Sequence, residues 1–150
     1  MSHSYTNLLY HLIFSTKNRE PWLERSFRGD LFGQVAGVIK EKQGIVLAVN
    51  GVEDHVHILA KLRPDRSVSQ VLSDVKSRTS GWVHRHVPQL PAFAWQTGYG
   101  AFTVSQSQVE RVRQYIKDQE AHHRNMPFKD ELRALLRAHG FELDEELLWQ

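Results

Sequence analysis

Cysteine is absent from the 150 residues. Disulfides and thiolate metal sites are therefore excluded, and any bound metal must use imidazole, carboxylate or amide ligands. Long apolar runs are missing too: none approaches the roughly 18 residues of a membrane span. The start, Met1-Ser2-His3-Ser4-Tyr5, has neither the basic nor the apolar region of an export signal. A soluble cytoplasmic protein with no membrane partner is expected. Charge of a single sign is scarce, since 19 Lys and Arg stand against 17 Asp and Glu, a net +2 with His neutral. The total does not announce nucleic acid, and only local clusters of cations can. Repeats, low-complexity tracts and linkers are also lacking. With 41% hydrophobic residues, the chain is sized for one domain, residues 1–150, whose core needs no cross-links.

What is there centres on Asn50-Gly51-Val52-Glu53-Asp54-His55-Val56-His57-Ile58-Leu59-Ala60. Side chains alternate along a strand, so Val56, Ile58, Ala60 and Leu62 form one apolar face while His55, His57, Leu59 and Lys61 point the other way. The two histidines then sit side by side with Cα atoms roughly 6.5 Å apart, close enough for their rings to share one divalent cation. An exposed pair of histidines on a half-buried sheet explains the tripeptide equally well. The rest of the chain has to decide.

Leu8 to Ser15 is short, apolar and aromatic-rich, as a first strand buried on both faces would be. It runs into Thr16-Lys17-Asn18-Arg19, where Lys17 and Arg19 project from a strand end and can contact a phosphate backbone. From Trp22 to about Lys42, Leu23, Phe27, Leu31, Val35, Val38 and Ile39 recur every three or four residues and mark a helix that Gly44 ends. Ile45 to Val49 reads as a second strand, Asn50-Gly51 as a turn, and the histidine strand as the other arm of a hairpin. Ser67 and Gln70 form a capping box for a helix striped with Val68, Val71, Leu72, Val75, Thr79, Trp82 and Val83. Lys76, Arg78 and Arg85 fall off that stripe and are further candidates for phosphate contacts. Phe93 to Ser105 reads as a final strand with a bend at Gly98 and Gly100. Ser107 and Glu110 suggest a second capping box, opening a helix with Val109, Val112 and Ile116 on its buried line. Phe128, Leu132, Leu135 and Leu136 line a last helix capped by His139-Gly140, and an acidic-then-apolar tail from Asp144 to Trp149 is expected to pack on the domain or a partner. This order predicts an α+β protein: a ferredoxin-like antiparallel sheet with helices on one face, plus a C-terminal helical extension.

On the helix after Ser107, Gln108, Arg111, Tyr115, Gln119 and His122 form a polar stripe, with Gln119 one turn beyond Tyr115. A phenol with an ordinary pKa of about 10 needs an activated electrophile or a base to act as a nucleophile near neutral pH. Two histidines and an amide oxygen could hold Mg²⁺ or Mn²⁺ against a phosphodiester and fix it for in-line attack.

His55-Val56-His57 followed by Tyr115-Ile116-Lys117-Asp118-Gln119 resembles the single-tyrosine HUH transposases, the bacterial insertion-sequence enzymes and their relatives associated with repetitive extragenic palindromes. The likeness covers about residues 5–123, including Thr16-Lys17-Asn18-Arg19 and Trp95-Gln96-Thr97-Gly98-Tyr99; about 127–150 lies outside it. It implies a DNA transposase that cuts and rejoins single-stranded DNA at hairpin-flanked ends through a 5′-phosphotyrosine. It also implies a divalent metal, and a homodimer in which one subunit's tyrosine helix can complete the other's histidine site. By the same resemblance His55, His57 and Gln119 become metal ligands and Tyr115 the nucleophile. Val52 departs from relatives with an acidic residue three positions before the first histidine, and Glu53 or Asp54 are the candidates to substitute. Two alternatives stay open: a domesticated HUH endonuclease acting on host palindromic repeats, or a non-catalytic nucleic-acid-binding module stacking bases on Tyr10, Phe14, Tyr99 or Phe102. A histidine-triad nucleotide hydrolase is disfavoured because Leu59 stands where its next histidine belongs.

Overall fold

A computed structural model describes residues 3–144; of the expected tail only Asp144 falls within them, and residues 145–150 lie outside the described residues. The chain divides into two compact units, Met1–Gln119 and Glu120–Gln150.

The first unit is built on four strands, β1 (Leu8–Ser15), β2 (Ile45–Gly51), β3 (His55–Leu62) and β4 (Gly100–Val104). They form one antiparallel sheet in the order β2-β3-β1-β4. Helix α1 (Arg25–Glu41) joins β1 to β2 and α2 (Val68–His86) joins β3 to β4, which completes the expected ferredoxin-like α+β arrangement. Strand parity sorts the side chains. Leu12, Phe14, Val56, Ile58 and Ala60 face α1 and α2, whose Leu31, Val35, Ile39, Val71, Leu72 and Val75 complete the main core. Leu9 and Leu59 point to the other face, where α3 (Val109–Lys117) supplies Val109 and Ile116 to a second, smaller core. α1 and α2 thus cover one face as expected, and α3 adds a layer on the other. With both faces covered, β1 and β3 are buried along nearly their whole length; β1 therefore reads as an apolar run, while β3 keeps an alternation because His55 and His57 are buried on the α3 side.

Local chemistry sets the boundaries. The Ser67 hydroxyl accepts a hydrogen bond from the Gln70 amide at 3.1 Å, so the capping box of α2 forms as expected. The box expected at Ser107 does not: residues Gln106–Gln108 make a turn of 3-10 helix and α3 starts at Val109 without a side-chain cap. The expected turn at Asn50-Gly51 also moves. Both residues stay in β2, paired with His57 and Val56, and Val52, Glu53 and Asp54 make the turn. Gly51 is needed for close approach, because a Cβ there would stand 2.1 Å from the His55 carbonyl oxygen. After α1 the left-handed residue is Gln43, at φ 59°, and Gly44 serves to clear Ile39 instead.

The polar stripe from Gln108 to His122 predicts one continuous helix, but α3 ends at Lys117, Asp118 caps it, and a short α4 (Gln119–His123) follows. In the second unit α5 (Phe128–Ala138) ends at His139, with Gly140 left-handed at φ 83° and the Phe141 amide bonded back to the Leu136 carbonyl, as the glycine cap predicted. Among the described residues no helix is long and apolar enough to cross a membrane.

Candidate active site

The site forms on the α3 side of the sheet, at the end where β3 begins. His55 and His57 share that face with ring centroids 5.1 Å apart, and both are fully buried. The preceding turn is pinned to the end of β1, since the Thr16 amide donates to the Asp54 carbonyl at 2.9 Å. This places the Asp54 carboxylate 2.7 Å from His55 Nδ1. The proton on Nδ1 is shared with that carboxylate, leaving Nε2 as the nitrogen for other work. Asp54, one of two candidates for an auxiliary acidic ligand, therefore orients the ring, and Glu53 is exposed.

His55 Nε2 faces Gln119 Oε1 at 3.2 Å, and Gln119 is fully buried although it opens a new helix. When His55 is neutral and its Nδ1–H is held by Asp54, the Nε2 lone pair faces Gln119 Oε1, a pairing that a cation between the two atoms would make favourable. In an octahedral shell with bonds of about 2.1 Å, neighbouring ligand atoms stand about 3 Å apart. The donor set of nitrogen and amide oxygen, and its spacing, fit a divalent cation. His55 and His57 are among the residues that could hold one, their nearest ligand atoms within 4.8 Å.

Tyr115 is half-buried on α3, its ring centroid 5.8 Å from His57 and 6.2 Å from His11. Within this single chain the phenol stands beside its own histidines. Ile116, the next residue, is fully buried and anchors this turn of the helix; burying such a side chain contributes about 1.5–3 kcal/mol. At the end of α3 the Asn50 side-chain amide donates to the carbonyls of Ile116 at 3.0 Å and Lys117 at 3.1 Å. These are two of the acceptors a helix leaves without partners at its C-terminus. Asn50 pairs with His57 across β2 and β3, so one rung of the sheet carries both a histidine and the clasp on the tyrosine helix.

Asn50 and His11 also belong to the site, though in the sequence Asn50 reads as a turn residue and His11 as part of an apolar run. A lone imidazole in such a strand, on the parity of Leu9, Ile13 and Ser15, is the signal the sequence holds for His11. It is 4% exposed, and its Nε2 lies 2.8 Å from His57 Nδ1.

The five candidate cations separate. Lys17 and Arg19 leave β1 next to Ser15, which is paired with His55, and so stand at the histidine end of the sheet. Lys76, Arg78 and Arg85 lie on α2, which packs on the opposite face. Lys76 Nζ donates to the carbonyls of Gln96 at 2.9 Å and Gly98 at 2.6 Å, and burial pushes its pKa down to about 8. Arg78 is paired with Glu41 and holds that carboxyl below its usual range, while Arg85 is exposed. In the second unit, His123 Nε2 lies 3.0 Å from Glu131 Oε1.

Comparison with known proteins places the chain in a family. The chain is 25% identical over 128 residues to the transposase for insertion sequence element IS200 of Salmonella typhimurium, covering 79% of this chain and 81% of that protein. It is 27% identical over 125 residues to the ISDra2 transposase TnpA of Deinococcus radiodurans, covering 75% and 84%. Its fold resembles that of a candidate transposase of Deinococcus radiodurans with TM-score 0.64 at 24% identity, over 79% of this chain and 96% of that one. It also resembles a REP-associated tyrosine transposase solved bound to a REP hairpin, with TM-score 0.61 at 16% identity, over 82% and 73%. Residues 4–119 match the family described as "Transposase IS200 like". Because that match takes in the whole sheet together with Tyr115 and Gln119, the chain belongs to the IS200-like transposase family.

Proposed function

We propose that this transposase cuts and rejoins single-stranded DNA at hairpin-forming ends, with Tyr115 as nucleophile and His55, His57 and Gln119 as ligands of a divalent cation. The observation that carries the reading is Gln119 Oε1 lying 3.2 Å from His55 Nε2 while the Tyr115 ring stands 5.8 Å from His57. Four polar side chains from β3, α3 and α4 thus have a shared use, which a non-catalytic binding module would not give them. A Mg²⁺ or Mn²⁺ ion held by His55, His57 and Gln119 would supply Lewis-acid chemistry, withdrawing charge from the scissile phosphate. Tyr115 Oη loses its proton and attacks the phosphorus, the bond to the 3′-oxygen breaks, that oxygen takes up a proton in exchange, and the 5′-phosphate remains on the tyrosine. A second DNA 3′-hydroxyl then attacks the phosphotyrosine, loses its proton and releases the phenol. The energy of one phosphodiester is kept for the next. Lys17 and Arg19 contact phosphates at the histidine end of the sheet, and Arg85 is available on the opposite layer. Lys76 and Arg78 are further phosphate contacts, where a phosphate competes with the Gln96 and Gly98 carbonyls for the first and with Glu41 for the second.

The test is a single-stranded oligonucleotide carrying a candidate end, incubated with Mg²⁺ or Mn²⁺ and resolved on a denaturing gel. Wild type should give a covalent adduct that excess chelator abolishes. Tyr115→Phe, which removes one hydroxyl, should bind the oligonucleotide without forming the adduct. An undiminished adduct in that variant would overturn the assignment.

A further inference from the structure

β1 and β3 run antiparallel with His11 opposite Leu59 and Ile13 opposite His57, which makes His11 and His57 diagonal neighbours on one sheet face. Their rings are 5.0 Å apart, and His11 Nε2 lies 2.8 Å from His57 Nδ1. Both rings are buried, 4% and 0% exposed, so this contact is not exchanged for water. Between two neutral imidazoles such a contact holds a single proton, and its location has a consequence for His57. With the proton on His57 Nδ1, its Nε2 carries a lone pair that a cation can accept. With the proton on His11 Nε2, His57 is protonated at Nε2 and offers a cation nothing.

We propose that His11 is a positioning residue that accepts the Nδ1 proton of His57 and thereby holds His57 in the tautomer whose Nε2 can ligate a metal ion. This rests on the cation-binding reading of the site given above. His11 does for His57 what the Asp54 carboxylate, 2.7 Å from Nδ1, does for His55. The two ligands are thus oriented from behind by different groups, one charged at the turn and one neutral inside the sheet. The His11 ring is itself held edge-on against Phe102 at 6.3 Å and Tyr115 at 6.2 Å, so the residue orienting a ligand also packs against the nucleophile.

The test compares wild type with His11→Gln, which keeps an acceptor, and His11→Phe, which keeps the packing but no acceptor. Nitrogen-15 correlation spectra of the metal-free protein should show wild-type His57 protonated at Nδ1. His11→Phe should lose that signature and bind Mn²⁺ alone, followed by the paramagnetic resonance of the free ion, roughly 10–100-fold more weakly. His11→Gln should restore the tautomer and most of the affinity. His57 protonated at Nε2 in wild type would overturn the role of His11, and so would wild-type Mn²⁺ affinity in a folded His11→Phe. A wild type that shows the Nδ1–H tautomer yet binds no Mn²⁺, with or without DNA, overturns the cation-binding reading itself. Should His11→Phe fail to fold, the wild-type spectrum and His11→Gln still decide.

Discussion

Replacing Asn50 by alanine should loosen the tyrosine helix at its end without touching a reacting group. The side-chain amide gives two hydrogen bonds, to Ile116 O at 3.0 Å in a partly buried setting and to Lys117 O at 3.1 Å near solvent. Water can replace the second, so it contributes little; the first is worth about 1 kcal/mol, and a carbonyl left partly desolvated adds up to about as much again. The expected loss is about 1–2 kcal/mol in urea unfolding, a fall of roughly 3–8 °C in Tm for a unit of this size. The consequence for the site should be larger than the consequence for the fold. Gln119 follows the second clasped carbonyl, that of Lys117, by only two residues, and its contact with His55 depends on where α3 stops. Mn²⁺ affinity and the rate of adduct formation should both drop at a temperature where the variant is still fully folded. Asn50→Asp is the sharper control, because it keeps shape and volume but turns a donor pair into acceptors facing two carbonyls, and it should be the less stable of the two. If both variants melt like wild type and form the adduct at the wild-type rate, the clasp does not position this helix.

Gly51→Ala places a methyl 2.1 Å from the His55 carbonyl oxygen, so the hairpin has to shift; a loss of about 3 kcal/mol or more is expected in thermal or urea unfolding, and a wild-type melt would refute it. Lys76 is depressed from 10.5 to about 8 by burial, so the unfolded chain binds more protons between those values. Its unfavourable contribution is complete below about pH 8 and fades as pH rises toward 10.5. Unfolding free energy of wild type should therefore climb relative to Lys76→Met across that window, and a flat difference would refute the shift. Alanine at Lys17 or Arg19 should weaken oligonucleotide binding whatever the sequence and flatten its dependence on salt, and unchanged slopes would return both to ordinary surface. Co-expression of Tyr115→Phe with His57→Ala should recover up to about half the wild-type cleavage in a verified mixed dimer, as expected when one subunit's tyrosine completes the other's histidine site; an inactive mixed dimer would show that Tyr115 serves its own chain's histidines.

Much of the fold was legible in residue patterns because burial imposes them. The apolar β1, the alternating β3, the stripe of α1 and the Ser67 capping box each obey a local rule, and together they fix an α+β order that leaves few topologies. His55, His57, Tyr115 and Gln119 could be singled out for a similar reason: strand parity and the polar stripe before Gln119 are local facts. Tertiary structure decided the rest. Which face α3 covers depends on where Leu9 and Leu59 are left uncovered, and no periodicity within α3 contains that. Helical spacing put Gln119 one turn past Tyr115 on a continuous helix, but the helix stops at Lys117, where Asn50 reaches across from β2. His11 and His57 are 46 residues apart in sequence, and only the antiparallel register of β1 on β3 brings their nitrogens to 2.8 Å. Local sequence carries parity and caps. It cannot carry the register between distant strands or the identity of a buried polar partner, because those follow from packing the whole sheet at once.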